Sequence, residues 1–331
     1  YCLISYPLFP IDKGGCLIYM NPIQSRLQAH APLILDGALA TELERKGCDL
    51  NDSLWSAKIL IEQPELIQQV HLDYFQAGAD CATTASYQTT IDGFAEKGYT
   101  KEEAIELMKR SVTLAKEACE QFWQDETHRK ERTKPFVAGS VGPFGAYLSD
   151  GSEYKGNYGL TEQALIDFHR PRIQALVEAG ADILACETIP CLIEASAIAK
   201  LLEDEFSGVY AWITFSAKDD KHISEGDLLR DCVQALEPYE QIAAVGVNCT
   251  PPQYMSSLIQ EMKKGTSKPI VVYPNSGELY DPEEKVWSGD TSHHTFGKCA
   301  QQWYKDGAQI IGGCCRTTPE DITDILKQAT S

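Results

Sequence analysis

Short apolar runs alternate with amphipathic stretches along most of this chain, and this alternation restricts its possible folds more than any other feature. Runs that are apolar at successive positions, rather than at every second one, indicate strands buried on both faces, as in a parallel sheet. Segments long enough for helices separate eight such runs: residues 33–36, 81–87, 136–141, 183–186, 209–215, 243–248, 270–273 and 309–312. The sequence therefore predicts an α/β fold, a single (β/α)8 TIM barrel.

Helix-end signals agree with this alternation. Pro64 suits the first turn of a helix that runs towards Gly78, and Gly78 suits the left-handed position after its end. The phrase Ala-Gly-Ala-Asp occurs at 77–80 and again at 179–182, so the same connection from a helix to the next strand is expected twice. Thr100 and Glu103 form a predicted capping box at the start of a long helix.

No linker or low-complexity tract interrupts the pattern, so residues 20–331 are predicted to form one TIM-barrel domain. Residues 1–19 have neither a basic amino-terminal region nor a cleavage pattern of small residues, and they contain Pro7 and Pro10. We interpret them as an upstream or vector-derived extension, with Met20 as the native start. The alternative is a genuine amino-terminal arm that packs on the domain.

Charge and cysteine content exclude several classes of partner and location. The chain has 29 basic and 48 acidic residues, a formal net charge of −19, which disfavours nucleic acid and anionic membranes as partners. The 12 cysteines lie mostly inside apolar runs rather than in a short disulfide-rich framework, which favours a reduced, cytoplasmic location. We expect small-molecule substrates, and a monomer or a small homo-oligomer.

Polar and thiol side chains cluster where the predicted strands end. Active sites of (β/α)8 barrels lie at the carboxyl ends of the strands, so these side chains are expected to face one mouth. The residues at these positions are Asp36, Gly37, Tyr87, Glu187, Asn248, Cys249, Asn275, Cys314 and Cys315. Most of the predicted strands thus supply one of them.

Cys249 follows the sixth predicted strand, and Cys314 and Cys315 follow the eighth. Adjacent residues of a regular strand point to opposite faces, so Gly312 and Gly313 are expected to let the backbone break the pleat. Three thiolates would then converge on one cation, usually zinc, with a fourth position left open as in catalytic sites. The alternative is that Cys314 and Cys315 are small buried residues or an oxidisable pair.

Several longer phrases resemble one known family. They are Leu-Asp-Gly-Ala at 35–38, Thr-Ala-Ser-Tyr-Gln at 84–88, Gly-Ser-Val-Gly-Pro at 139–143, Cys-Glu-Thr at 186–188, Val-Asn-Cys at 247–249, Tyr-Pro-Asn-Ser-Gly-Glu at 273–278 and Gly-Gly-Cys-Cys-Arg-Thr at 312–317. Together they resemble the homocysteine S-methyltransferase family over residues 32–327. The resemblance is closest to cobalamin-independent members that use S-methylmethionine as methyl donor.

This resemblance implies roles for individual residues. It implies that Cys249, Cys314 and Cys315 are the catalytic residues and hold Zn2+, and that the homocysteine thiol fills the open fourth position. The implied homocysteine-binding residues are Asp36 with the backbone amides of Gly37 and Ala38, Glu187 and Asn248. Ala38 departs from the family, which often has a second glycine there; an alanine suits the position only at backbone angles that it tolerates.

Other interpretations of these residues remain open. Asp36 could cap the helix that starts near Ala38, Glu187 could form a salt bridge at the rim, and Asn248 could tie neighbouring loops together. Tyr87 suits a sulfonium cation through cation–π attraction, or it could be a packing residue.

The remaining features are less specific. Asn275 is a further predicted substrate contact. The Gly-, Ser- and Tyr-rich segment 144–158 is predicted to be a lid or a well-packed surface loop. The pair His293-His294 is interpreted as part of an ordinary loop.

The predicted function is zinc-dependent transfer of a methyl group from S-methylmethionine to the thiol of L-homocysteine, which forms methionine. Two alternatives stay open. One keeps the fold and uses S-adenosylmethionine or betaine as donor. The other is a non-enzymatic zinc or redox protein built on the three thiols.

Overall fold

The computed structural model describes residues 21–29, 32–50, 56–277, 279–281, 286–288 and 296–329. The segment 1–19 and the pair His293-His294 lie outside these residues. Within them, no helix is long and apolar enough to cross a membrane.

Eight parallel strands form a nearly closed barrel, so the predicted (β/α)8 fold is confirmed. The described strands are β1 (Leu33–Ile34), β2 (Cys81–Thr83), β3 (Phe136–Val141), β4 (Ile183–Ile189), β5 (Ala211–Phe215), β6 (Ile242–Asn248), β7 (Ile270–Tyr273), β8 (Leu279–Asp281), β9 (Val286–Ser288) and β10 (Ile310–Ile311). Their order in the barrel is β1-β10-β7-β6-β5-β4-β3-β2, while β8 and β9 form a separate antiparallel hairpin. A parallel bridge between Leu35 and Cys81 joins the two end strands.

Helices surround the barrel and connect its strands. They are α1 (Pro22–Ala29), α2 (Leu39–Arg45), α3 (Ser56–Glu62), α4 (Pro64–Ala77), α5 (Ile91–Glu96), α6 (Lys101–Trp123), α7 (Glu126–Glu131), α8 (Phe144–Leu148), α9 (Glu162–Glu178), α10 (Leu192–Glu205), α11 (Leu229–Leu236), α12 (Met255–Met262), α13 (Phe296–Asp306) and α14 (Pro319–Ala329). Short 3-10 turns cover Ser152–Tyr154 and Pro252–Tyr254.

The predicted helix ends are confirmed at several positions. Pro64 occupies the first turn of α4. At the start of α6, the Thr100 hydroxyl accepts from the Glu103 N–H, and the Glu103 carboxylate accepts from the Thr100 N–H at 2.8 Å. Gly78 and Gly180 have φ angles of 122° and 84°, which few other residues adopt.

The aspartate of each Ala-Gly-Ala-Asp phrase stabilises the neighbouring strand. Asp80 Oδ2 accepts a hydrogen bond from the Ile34 N–H at 2.9 Å, and Asp182 Oδ2 accepts one from the Val137 N–H at 2.8 Å. Each phrase therefore ends a helix and also holds the start of an adjacent strand, which explains why it recurs.

Two predicted strands differ from the observed ones by three residues or more, and the other six agree to within two residues. The run 81–87 contains a strand only over Cys81–Thr83, because Thr84 and Ser86 bond locally and residues 85–88 form a turn. Tyr87 therefore lies beyond the strand rather than at its end. Conversely, β4 continues to Ile189, with a register shift after Cys186 that adds a bulge at the mouth.

Helix α1 packs across the amino-terminal end of the barrel. Ile23 is fully buried among interior residues that include Leu33 and Phe136, each the first residue of its strand. The Arg26 guanidinium lies 4.2 Å from the centre of the Phe136 ring and donates to the Lys134 carbonyl at 2.7 Å. This end of the barrel is therefore closed by apolar contact, opposite the strand ends that carry the polar residues.

Because α1 completes the interior core, Ile23→Ala should lower the free energy of unfolding by about 2–4 kcal/mol. Gln24→Ala is the matched control, since Gln24 is exposed on the same helix. That variant should change the free energy by no more than about 0.5 kcal/mol. Urea unfolding of both variants measures the difference, and equal effects would show that α1 is not part of the core.

Candidate active site and metal centre

Three cysteine thiols converge at the mouth of the barrel. The Cys249 and Cys315 Sγ atoms are 3.6 Å apart, and the Cys314 and Cys315 Sγ atoms are 3.9 Å apart. All three sulfur atoms lie within 4.8 Å of one another, and no other group of three or more His, Cys, Asp or Glu in the described residues is placed to hold a metal. Ligands of a tetrahedral zinc with Zn–S bonds of about 2.3 Å stand about 3.8 Å apart. The cysteine trio therefore fits such an ion.

Gly312 and Gly313 permit this convergence for a different reason from the predicted one. Neither has a positive φ, so they do not act by adopting a conformation reserved for glycine. Instead, a Cβ atom at Gly312 would lie 2.6 Å from the Leu35 Cβ, and one at Gly313 would lie 2.3 Å from the Thr317 Oγ1. The missing side chain of Gly312 lets the end of β10 pack directly on the end of β1, and that of Gly313 lets the chain turn closely past Thr317.

The backbone departs from the strand conformation at the cysteines themselves. Cys249 has a φ of 48° and Arg316 a φ of 67°, both unfavourable for residues with a side chain. Such conformations persist only where the surroundings hold them. The Cys249 N–H donates to the Tyr273 carbonyl, and the Arg316 N–H donates to the Thr41 hydroxyl, both at 3.2 Å.

Hydrogen bonds couple the three thiols of the trio. Hydrogen bonds from the Cys314 and Cys315 thiols lower the pKa of Cys249 well below its usual range. The same contacts with Cys249 raise the pKa values of Cys314 and Cys315. The Tyr154 hydroxyl, 3.1 Å from the Cys249 Sγ, adds a further bond.

Asp36 and Glu187 supply carboxylates beside the trio. Asp36 is 4% exposed, and its Oδ2 accepts from the Thr83 N–H at 2.8 Å. Helix α2 begins after Ala38 without a side-chain cap, so Asp36 does not cap it. Glu187 is half-buried and accepts a hydrogen bond from the Ser140 hydroxyl. Among the described side chains, no Lys or Arg forms an ion pair with Asp36 or Glu187.

Burial shifts the protonation of both carboxylates. It raises the pKa of Asp36 well above its ordinary value, and the nearby Glu187 raises it further. Burial raises the pKa of Glu187 to about 7, and Cys314 adds to the shift, while hydrogen bonds from Ser140 and Tyr273 oppose it. A cation bound between the two carboxylates would favour their charged forms and lower both raised pKa values.

Asn248 ties together three strand ends. Its Oδ1 accepts from the Thr188 N–H at 2.7 Å and from the Thr214 hydroxyl at 2.8 Å, and its Nδ2 donates to the Thr188 hydroxyl at 2.8 Å. Thr188 has a φ of 61°, so these bonds stabilise an unfavourable backbone next to Glu187. The Asn248 Nδ2 also lies 3.9 Å from the Cys314 Sγ. The tying role left open by the sequence is therefore present in the structure.

The amide and aromatic positions predicted from sequence lie around the same mouth. Ala38 has a φ of −68°, which an alanine tolerates, and its N–H donates to the Thr317 hydroxyl at 3.2 Å. A Cβ at Gly37 would lie 2.8 Å from the Thr317 Oγ1, so this position also needs glycine for space. Tyr87 is half-buried; burial raises the pKa of its hydroxyl, and the charges of Glu153 and Cys249 raise it further. Asn275 is 6% exposed, and its Oδ1 finds no hydrogen-bond partner among the described residues.

The segment 144–158 is folded over this mouth, and we call it the cover segment. It consists of α8, the 3-10 turn Ser152–Tyr154 and their connections, rather than the loop predicted from sequence. The fully buried Glu194 accepts from the Phe144 N–H at 2.6 Å and contacts His169 Nε2 at 2.9 Å. The Ser216 hydroxyl donates to the Glu153 carbonyl at 3.1 Å. These bonds bring Tyr154 against Cys249.

Beyond this geometry, the chain as a whole matches a known family. The sequence model described as Homocysteine S-methyltransferase matches residues 33–329. The chain belongs to the homocysteine S-methyltransferase family. It is therefore an enzyme of the methyltransferase class.

Individual members of the family, and one related enzyme, show how extensive the similarity is. Homocysteine S-methyltransferase YbgG of Bacillus subtilis (strain 168) is 61% identical over 312 residues, which cover 94% of this chain and 99% of YbgG. Selenocysteine Se-methyltransferase of Brassica oleracea var. italica is 48% identical over 307 residues, covering 90% and 89% of the two chains. The crystal structure of the homocysteine methyltransferase MmuM from Escherichia coli in its metallated form superposes with a TM-score of 0.84 at 45% identity, covering 94% of this chain and 100% of MmuM.

In the present chain, the structure brings together the residues that were predicted from its sequence, and it adds two residues to them. Cys249, Cys314 and Cys315 form the trio, and the other predicted residues line the mouth around it. Sequence reasoning missed Glu153 and Tyr154. One sequence feature could have identified them: an acidic and an aromatic residue stand together in the middle of a Gly- and Ser-rich segment that follows a strand.

The raised pKa of Glu187 predicts a dependence of stability on pH. The folded protein binds this proton more tightly than the unfolded chain does, so the contribution of Glu187 is complete below its ordinary pKa of 4.5 and is lost as pH rises to about 7. Glu187→Gln cannot titrate. In metal-free protein, the wild type should therefore lose roughly 1–3 kcal/mol more than the variant between about pH 5 and about pH 8. Urea unfolding at the two pH values tests this, and parallel losses in both proteins would refute the assignment.

Proposed function

We propose that this enzyme transfers a methyl group from S-methylmethionine to the thiol of L-homocysteine, forming methionine, and that Cys249, Cys314 and Cys315 hold a zinc ion. One observation carries the proposal: three converging thiols stand beside two carboxylates, Asp36 and Glu187, that have no cationic partner among the described residues. A substrate with both a thiol and an ammonium group complements this arrangement.

The donor set of the metal centre favours zinc. Sulfur ligands suit soft or borderline cations, and the sulfur separations of 3.6 and 3.9 Å agree with tetrahedral zinc. The crystal structure of the related MmuM exists in a metallated form. Bound zinc would leave one open position and would lower the pKa of a thiol placed there.

The chain's own residues would hold homocysteine by its amino-acid end. Asp36 and Glu187 would bind the ammonium group, since their buried carboxylates lack a cation and a bound cation favours their charged forms. The unpartnered Oδ1 of Asn275 would accept a further N–H bond. The predicted contact of the substrate carboxylate with the Gly37 backbone amide stays part of the proposal.

Methyl transfer from a sulfonium needs positioning rather than acid catalysis. A lone pair of the homocysteine sulfur forms a bond to the methyl carbon, and the bond from that carbon to the sulfonium sulfur breaks. Its electron pair stays on the donor sulfur, which becomes a neutral thioether, and the proton of the homocysteine thiol goes to solvent. A cation and a thiolate thus give two neutral products, so a site that excludes water would favour the reaction.

Zinc content tests the metal assignment. Purified, reduced wild-type protein should contain one zinc per chain, and Cys314→Ser should lose most of it, because deprotonated sulfur supplies most of the binding free energy. Cys48→Ser is the matched control, since Cys48 is a free cysteine outside the trio. Elemental analysis decides the matter: zinc retained by Cys314→Ser, or absent from the wild type, would contradict the assignment.

A donor comparison tests the reaction and separates it from the alternatives. Zinc-loaded protein with homocysteine should form methionine fastest from S-methylmethionine when S-adenosylmethionine and betaine are supplied side by side. Glu187→Gln should raise the KM for homocysteine roughly tenfold or more, with unchanged zinc content, because it removes one charge from the ammonium site. Turnover only with betaine would exclude the proposed donor, and no acceptor-dependent turnover with any donor would exclude the reaction. Zinc lost from Glu187→Gln would make that residue part of the metal centre.

A further inference from the structure

A third carboxylate faces the cysteine trio and has no role in the binding of homocysteine described above. Glu153 belongs to the cover segment, and its Oε2 is buried without a hydrogen-bond partner among the described residues. Its charge acts on the Tyr87 hydroxyl and on the Cys249 thiol. The charge of Glu187 acts on Asp36 and, less than that of Glu153, on Tyr87, and its own neighbour in the trio is Cys314. Carboxylates therefore stand beside two different thiols of the trio.

The backbone around Glu153 is tightly held. A Cβ atom at Gly145 would lie 2.4 Å from the Glu153 nitrogen, so α8 packs directly against the 3-10 turn. The Ser216 hydroxyl bonds the Glu153 carbonyl, and the next residue, Tyr154, reaches Cys249. The backbone that carries this buried carboxylate is thus fixed next to the residue that contacts Cys249.

The charges of the two substrates require more than one anionic site. Homocysteine with an intact thiol carries one ammonium and one carboxylate, so the Asp36 and Glu187 pair suffices for its cation. S-methylmethionine carries an additional positive charge on its sulfonium sulfur. A desolvated sulfonium needs a nearby anion or aromatic faces, and two tyrosines, Tyr87 and Tyr154, lie beside Glu153 and Cys249.

We propose that Glu153, with Tyr87 and Tyr154, forms the site that recognises the sulfonium group of the methyl donor. This inference rests on the proposed function, and it places donor selection in the cover segment rather than in the strand ends that bind the acceptor. The same site would also favour release of the product. The thioether left after transfer has lost the charge that Glu153 attracts, so methionine binds this site more weakly than the donor does.

The kinetic signature follows from the change in charge. Glu153 attracts the donor most strongly while its sulfur is fully positive, which is before the methyl group leaves. Because the donor sulfur keeps much of this charge in the transition state, the interaction stabilises the bound donor and the transition state nearly equally and appears in KM rather than in kcat. Glu153→Gln should raise both the KM and the Kd for S-methylmethionine about tenfold to hundredfold and leave kcat nearly unchanged. The KM for homocysteine should not change.

Two further measurements make the test specific. Binding of S-methylmethionine and of methionine to the zinc-loaded protein is compared by calorimetry, because the two differ in the sulfonium charge. In the wild type the cationic donor should bind more tightly, and Glu153→Gln should abolish most of this preference. The matched control is Glu96→Gln, which removes an exposed carboxylate that accepts a bond from Tyr147 of the same segment. It should keep the wild-type preference.

The outcomes separate this inference from the proposed function. If the wild type shows no transfer to homocysteine from any sulfonium donor, the proposed function fails. If the wild type is active but Glu153→Gln keeps the wild-type KM for the donor, or loses kcat alone, only the role of Glu153 is wrong. Should Glu153→Gln not fold, the wild type still decides: methionine bound as tightly as S-methylmethionine would overturn the inference.

Discussion

The approach of three thiols from the ends of two strands is the contact on which the rest of the mouth depends. Sulfur atoms at 3.6 and 3.9 Å require the chain after β10 to reach the end of β6 across the intervening β7. Gly312 lets the end of β10 pack closely on Leu35, Gly313 lets the chain turn closely past Thr317, and Cys249 has a left-handed backbone at the end of β6. Larger residues at the glycines would separate the strand ends, and the trio would open with them.

Buried acids around the trio are costly, and that cost is consistent with binding. A carboxylate in an apolar barrel is driven towards its neutral form unless hydrogen bonds or a cation stabilise its charge. Asp36 has the Thr83 amide and hydroxyl, and Glu187 has the Ser140 hydroxyl, yet both keep raised pKa values. A cation bound beside them would stabilise their charged forms. Under the proposed function, the ammonium group of a bound amino acid would supply that cation, so the charged carboxylates would be more stable in the complex than in the free protein.

The cover segment links the outer helices to the chemistry. Glu194 on α10 and His169 on α9 are both fully buried and hold its first residue, while Tyr154 touches the trio. A buried pair of this kind stabilises when it is complete and is costly to disrupt on one side. Changes on α9 or α10 can therefore affect the site through the cover segment.

The sequence by itself determined the barrel, most of its strand positions, the helix ends at Pro64 and Gly78, and the three cysteines. These features depend on local periodicity, on the backbone preferences of proline and glycine, and on residue chemistry. All three can be determined from residues that are close together in the sequence. Tertiary structure decided the early end of β2 at Thr83, the bulge after Cys186 and the position of Glu153 and Tyr154. It also decided why Gly312 is a glycine, because a Cβ atom there would lie 2.6 Å from the Cβ of Leu35, a residue far away in sequence. Contacts between distant segments have no local signature, so only the folded chain could reveal them.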